Sequence, residues 1–264
     1  HTLVAGIDLL DEKASVGTRG STFSESNKHS YGLFAEETLR LWDRVSLVTG
    51  LRFDKARFEE DISFPTFIGT LRFEGWSPKV GVSVDVSDPL TVYANYARPF
   101  KAPNVDDFSA AVPSGFVGNL DLQPQHADDY EVGMRWDDDR LGQAEASWFY
   151  SRVHDEILFN DLPGNDQNQN FGTRRTGVEV SLQPVLPVEH LTGSVTYAFV
   201  NATFAKGTLQ GNRLPGTPKN RVTTSLAYEP IPGLIGSLDW VWVRNFFRIN
   251  DFNNSLPGDD YGVL

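Results

Sequence analysis

Lys79-Val80-Gly81-Val82-Ser83-Val84-Asp85-Val86-Ser87 decides the fold of this chain. At a period of two, Val80, Val82, Val84 and Val86 share one face, and Lys79, Gly81, Ser83 and Asp85 share the other. Such alternation is the signature of an extended strand with one apolar and one polar side. The pattern recurs. Tyr130, Val132, Met134 and Trp136 oppose Glu131, Gly133, Arg135 and Asp137. Val178, Val180 and Leu182 oppose Gly177, Glu179, Ser181 and Gln183, and Val222, Thr224, Leu226 and Tyr228 oppose Arg221, Thr223, Ser225 and Glu229. A half-buried sheet of a soluble protein alternates in the same way, so the pattern alone leaves two settings open.

The punctuation between strands separates them. Short breaks fall at Trp42-Asp43-Arg44, Ser87-Asp88-Pro89, Asp137-Asp138-Asp139-Arg140, Pro184 to Glu189 and Pro230-Ile231-Pro232-Gly233. Their centres are about 45 to 50 residues apart, a repeat of one hairpin. Each has the Asp, Pro or Gly content of a tight turn. Between them lie long polar segments, read as loops: Asp11 to Ser30, Glu59 to Glu74, Pro99 to Gln125, Asp155 to Asn170, Lys206 to Asn220 and Asn250 to Asp260. Strict alternation of short turns with long loops is the asymmetry of an outer-membrane barrel, short on the periplasmic side and long outside. The aromatics Trp42, Trp136, Tyr228, Trp240 and Trp242 are expected to form a belt on the short-turn side, where amphipathic rings favour the headgroup level.

Composition agrees. The chain has 264 residues, 40% hydrophobic, with mean hydropathy of −0.31 and no apolar run near the length of a spanning helix. Barrel strands hide their hydrophobicity in alternation, and the 12% aromatic content suits girdles at two interfaces. Absence of Cys rules out disulfides and thiolate metal sites, and a net charge of −12 argues against nucleic acid. The fold class expected is all-β, an antiparallel transmembrane β-barrel of about eleven strands with the start of another at Tyr261 to Leu264. Residues 1–264 are read as one partial barrel domain.

No catalytic constellation is present, with neither Gly-x-Ser-x-Gly, His-Glu-x-x-His nor a phosphate loop, so no enzyme, cofactor or metal site is expected. His154-Asp155-Glu156 reads as a solvated strand end, and Asp137-Asp138-Asp139 as a turn. Arg174-Arg175 suits an anionic ligand, since the guanidinium fork binds such groups bidentately. Against that role, pairs of Arg also bind lipopolysaccharide phosphates or neighbouring loop acids. Phe100, Phe108, Phe116, Phe159 and Phe171 stand in the long polar segments, able to line a ligand rim or to pack the loops together. The candidate ligand-binding set is Phe100, Phe116, Phe159, Phe171, Arg174 and Arg175.

Four segments, in order, resemble the barrel of TonB-dependent receptors. They are Val48-Thr49-Gly50-Leu51-Arg52-Phe53-Asp54; Trp76-Ser77-Pro78-Lys79-Val80-Gly81 with Leu90 through Pro103; Asn119-Leu120-Asp121-Leu122-Gln123-Pro124 with Tyr130-Glu131-Val132-Gly133; and Gly177-Val178-Glu179 with Leu214-Pro215-Gly216-Thr217-Pro218-Lys219. Pro99 stands where the family pattern has Gly, a difference in loop geometry. The resemblance implies a plugged barrel of about 22 strands, of which this chain would supply the second half. It implies an outer-membrane transporter that binds a metal chelate, most often a ferric siderophore, with its loops and lumen. Energy would come from the TonB complex through a plug that nothing here resembles, and the surroundings would be outer-membrane lipid and lipopolysaccharide. Cobalamin or a glycan as cargo, a passive channel and a self-closed barrel of about twelve strands stay open as alternatives. If the chain is an arc, the strand at Thr2 to Leu9 and the stub at Tyr261 should not pair.

Overall fold

The structure is a computed structural model that describes residues 1–18, 21–63, 66–112, 115–160 and 167–264. Five strands lead off: β1 (Thr2–Thr18), β2 (Ser21–Leu41), β3 (Val45–Ser63), β4 (Thr66–Ser87) and β5 (Leu90–Ala97). The short β6 (Phe100–Lys101), β7 (Ser109–Val112) and β8 (Gly115–Gly118) follow within one connection. Then come β9 (Gln125–Asp138), β10 (Gly142–Asn160), β11 (Gln167–Pro184), β12 (Leu191–Phe204), β13 (Asn220–Ile231), β14 (Leu234–Arg244) and β15 (Tyr261–Val263). The long strands form one antiparallel meander in the order β1-β2-β3-β4-β5-β9-β10-β11-β12-β13-β14-β15, with β6 joined to β9 and β7-β8 a separate hairpin. This is the expected count of eleven strands and a stub.

The sheet is open. Among the described residues β1 pairs only with β2, and β15 only with β14. The ladder that would have closed a small barrel, between the first and last strands, does not form. Successive antiparallel connections must return to the same side, so the breaks near residues 43, 88, 139, 187 and 232 share one rim. Their local chemistry matches tight turns. Trp42 and Asp43 both have positive φ (48° and 59°), and Asp138 Oδ1 accepts the N–H groups of Arg140 and Leu141, each at 2.9 Å.

Register extends the period-two reading across strands. Val80, Val82 and Val84 stand opposite Thr49, Leu47 and Val45, and the same face continues through Leu39, Ala35 and Leu33 of β2. That face is bare: Val82 is 39% exposed, Val132 55% and Ile7 68%. At about 25 cal/mol per Å² of apolar area, such a surface needs an apolar solvent, and lipid supplies it.

Two aromatic rows bound this face. On the long-loop side run Tyr31 and Phe53 (centroids 6.4 Å apart), Trp76 beside Phe53 (4.8 Å), then Tyr96, Tyr130 and Tyr150 with steps of 5.0 and 6.3 Å. Near the short turns lie Trp42, Trp136 opposite Leu90, and Tyr228 opposite Leu191. Trp242 belongs with the first row and not the second. It stands opposite Val222 at the far end of β13 from the turn, because β14 has by then climbed the wall, and Trp240, opposite Thr224, is likewise well above the turn. Tyr130 to Trp136 is six residues, about 20 Å at ~3.3 Å per residue, comparable to the ~25 Å apolar band of such barrels.

The long polar segments are not all loops. Asp11 to Ser30, Glu59 to Glu74 and Asp155 to Asn170 are strand over their described length, with pairs such as Asp11 to His29, Glu59 to Thr70 and Phe159 to Asn168. Above the membrane the outer face meets water instead of lipid, so the side chains stop alternating while the backbone ladder continues.

Candidate functional site

The inner face is a polar wall built from the residues that alternate with the lipid-facing set. Arg52 donates to Asp54 through Nε (2.8 and 2.9 Å) and reaches across β2 to Asp8. Lys79 pairs with Glu36. Farther round, the Tyr93 hydroxyl donates to Glu145 (2.8 Å) and lies 3.1 Å from Glu131, while Arg135 donates to Glu145 (3.0 Å) and stacks 4.6 Å from the Tyr93 ring. These long side chains lie along the wall, which is why glycine recurs between them. A Cβ at Gly50 would sit 2.7 Å from Lys79 Cε.

Two apolar clusters sit on the same face above the membrane. In one, Phe58 of β3 meets Phe108 (5.1 Å) and Phe73 (5.7 Å), with Leu122 and Ala56 completing it. In the other, Phe204 meets Phe171 (5.4 Å) and Phe252 (5.5 Å), with Leu214 and Ala202. Connections between β5 and β9, β12 and β13, and β14 and β15 are thereby folded in against the wall. Asparagines tie the first to β11. Asn119 donates to the Asn168 carbonyl (2.8 Å), Asn168 to Asp107 O (2.9 Å), and Asn170 to Gln123 O (2.9 Å).

The candidate ligand residues land in different settings. Phe171 is packed in the second cluster. Phe100 stands opposite His126, its ring 5.6 Å from the imidazole, and its N–H donates to Ser77 Oγ at 3.0 Å. Phe159 is half-buried opposite Asn168 in the upper part of β10. Phe116 lies on β8 opposite Ala111, and its side chain is outside the described residues. Arg174 and Arg175 point to opposite faces, as neighbours on a strand must, so they do not form one fork. Arg175 faces inward and is bidentate on Glu156 (2.7 and 3.0 Å), and Thr173 also donates to Glu156. Glu156 is therefore a tied, largely buried carboxylate and not a solvated strand end; the bulge between Val153 and Glu156, with Asp155 at φ 57°, turns it inward. The sequence offered no signal for the Tyr93-Glu131-Glu145-Arg135 group, because its members lie on three strands.

An open antiparallel meander with an apolar face between aromatic rows and a charged opposite face defines the wall of an outer-membrane β-barrel. The chain belongs to the TonB-dependent receptors: the family model described as "TonB dependent receptor-like, beta-barrel" matches residues 3–264. Among curated proteins, it is 23% identical to the ferrienterobactin receptor of Escherichia coli (strain K12) over 241 residues, covering 82% of this chain and 30% of that protein. TonB-dependent heme receptor A of Haemophilus influenzae (strain 86-028NP) is 22% identical over 239 residues, covering 77% of this chain and 31% of the receptor. Among solved structures, the copper transporter OprC superposes with a TM-score of 0.79 at 23% identity, covering 99% of this chain and 44% of the transporter. The ferric-catecholate import receptor Fiu of E. coli K12 gives 0.72 at 18% identity, over 98% of this chain and 44% of the receptor. The chain thus spans about a third of the curated relatives' length.

Proposed function

We propose that this chain is part of the barrel wall of an energised outer-membrane transporter for a metal chelate, with a ferric siderophore as the foremost cargo and no enzymatic activity. The supporting observation is that residues 3–264 match the barrel of TonB-dependent receptors, in a chain whose inner face is a continuous wall of charged and hydroxyl groups. The names of the relatives point to ferric enterobactin, ferric catecholate, heme and copper, so a metal complex is what they have in common.

In this reading the cargo meets the mouth of the barrel, where Phe100, Phe116, Phe159 and Phe171 lie and where Arg175 marks the inner wall. Arg174 belongs to the outer wall and lies off this path. Coupling to the TonB complex would run through a plug in the lumen.

Uptake of radiolabelled iron in cells producing the full-length protein tests the proposal. A panel of ferric siderophores and heme should yield at least one cargo whose uptake depends on the protein and is lost without TonB. Uptake that persists in TonB-deficient cells would identify a passive channel instead.

A further inference from the structure

Arg152 of β10 and Arg174 of β11 stand directly opposite each other on the lipid-facing side of the sheet. Both are exposed, and among the described residues neither has a hydrogen bond, ion pair or aromatic contact. Like charges directly opposed across strands repel, and among the described residues no ion pair offsets this one. The nearby acids are engaged by other groups. Asp128, opposite Arg152 on its other side, accepts from the Tyr96 hydroxyl (3.0 Å) and has His154 at 3.5 Å and Arg98 at 4.0 Å. Asp155 has Lys206 at 3.7 Å. In a chain of net charge −12, a local surplus of cation calls for a specific anion.

The level of the pair indicates which anion. Tyr150 lies two residues below Arg152 on the same face, in the Tyr96-Tyr130-Tyr150 row. Such a row sits at the headgroup boundary, so the two guanidinium groups stand about 7 Å farther out, among the headgroups. They are on the long-loop side, which is the outer leaflet. A planar guanidinium matches phosphate oxygens bidentately and loses little hydration in doing so.

We infer that Arg152 and Arg174 form a site on the outside of the barrel for a phosphate group of lipid A, the membrane anchor of lipopolysaccharide. The site is separate from the cargo path, and its test does not depend on which chelate is transported.

Lipid binding by the full-length protein in detergent, read by native mass spectrometry, tests the assignment. The probes are bisphosphorylated lipid A, the same lipid stripped of phosphate, and inorganic phosphate. The wild-type protein should prefer the bisphosphorylated lipid by about ten-fold or more, as charge-assisted hydrogen bonds predict. The double variant Arg152→Gln/Arg174→Gln should lose that preference, and Arg140→Gln on the short-turn rim should keep it. Heat-modifiable gel migration confirms that each variant is folded. Equal binding of the two lipids by wild type, needing no variant, would overturn the inference. So would an unaltered preference in the double variant, or inorganic phosphate binding as tightly as the lipid, which would mean a free-anion site.

Discussion

Tyr93 lies across Gly133, its direct partner on the next strand, so closely that a Cβ at Gly133 would meet Tyr93 Cζ at 2.5 Å. The ring cannot swing aside freely, because its hydroxyl is held between Glu131 and Glu145 and Arg135 covers its face. Gly133→Val should therefore destabilise the full-length barrel by about 1–3 kcal/mol, the usual cost of overpacking. Urea unfolding in detergent measures it. An unchanged midpoint would show that the inner wall is loosely packed.

Val82 and Ser83 are adjacent, yet the structure puts lipid on one and the polar wall on the other. Arg in place of Val82, between the two aromatic rows, should cost about 2–4 kcal/mol. Arg in place of Ser83 should cost far less. Equal penalties in a folding titration into bilayers would remove the distinction between the faces.

The Glu156-Arg175 pair, with side chains 15% and 28% exposed, is bidentate and reinforced by Thr173. Arg175→Gln leaves the carboxylate without its main partner and should cost about 1–3 kcal/mol. Adding Glu156→Gln should recover part of that loss, since groups in one network couple. Strict additivity of the two single changes would mean the pair contributes nothing beyond its separate members.

Glu60 lies seven residues beyond Phe53 of the upper aromatic row, about 23 Å along the strand and so outside the membrane. Burial pushes its carboxyl up to about 7 from 4.5, opposed by the Ser26 hydrogen bond of 2.5 Å, and its Oε2 has no partner among the described residues. The folded state thus binds the proton more tightly than the unfolded one. Stability is greatest at acid pH with respect to this group and falls as pH rises from 4.5 to about 7, by at most about 1.4 kcal/mol per pH unit. Hydrogen exchange in the upper parts of β2 and β3, corrected for intrinsic rates, should show protection decreasing over that window. Glu60→Gln should flatten the profile; a slope that survives the substitution would assign it to another group.

The faces of this sheet were legible in the sequence. Val80 to Val86, Tyr130 to Trp136 and Val222 to Tyr228 declare which side meets lipid, because the side of a strand residue follows from local backbone geometry alone. The turns at Asp43, Asp88 and Asp138 were legible for the same reason, since their conformations depend on a few adjacent residues. Together they gave the strand count and the single short-turn rim, while the open arc was an implication of the family resemblance.

Tertiary structure alone decided what depends on neighbours distant in sequence. Alternation lapses above the membrane, so only pairing reveals that Asp11 to Ser30 and Glu59 to Glu74 are mainly strand. Register against Val222 places Trp242 in the upper aromatic row. One bulge turns Glu156 inward to Arg175, and Arg174 on the other face meets Arg152 instead of its sequence neighbour. Phe108 and Phe252 find their partners on Phe58 and Phe204 through folded connections that carry no period. Which side a residue faces is a property of its own strand; its height on the wall and the groups it meets are set by how the strands align.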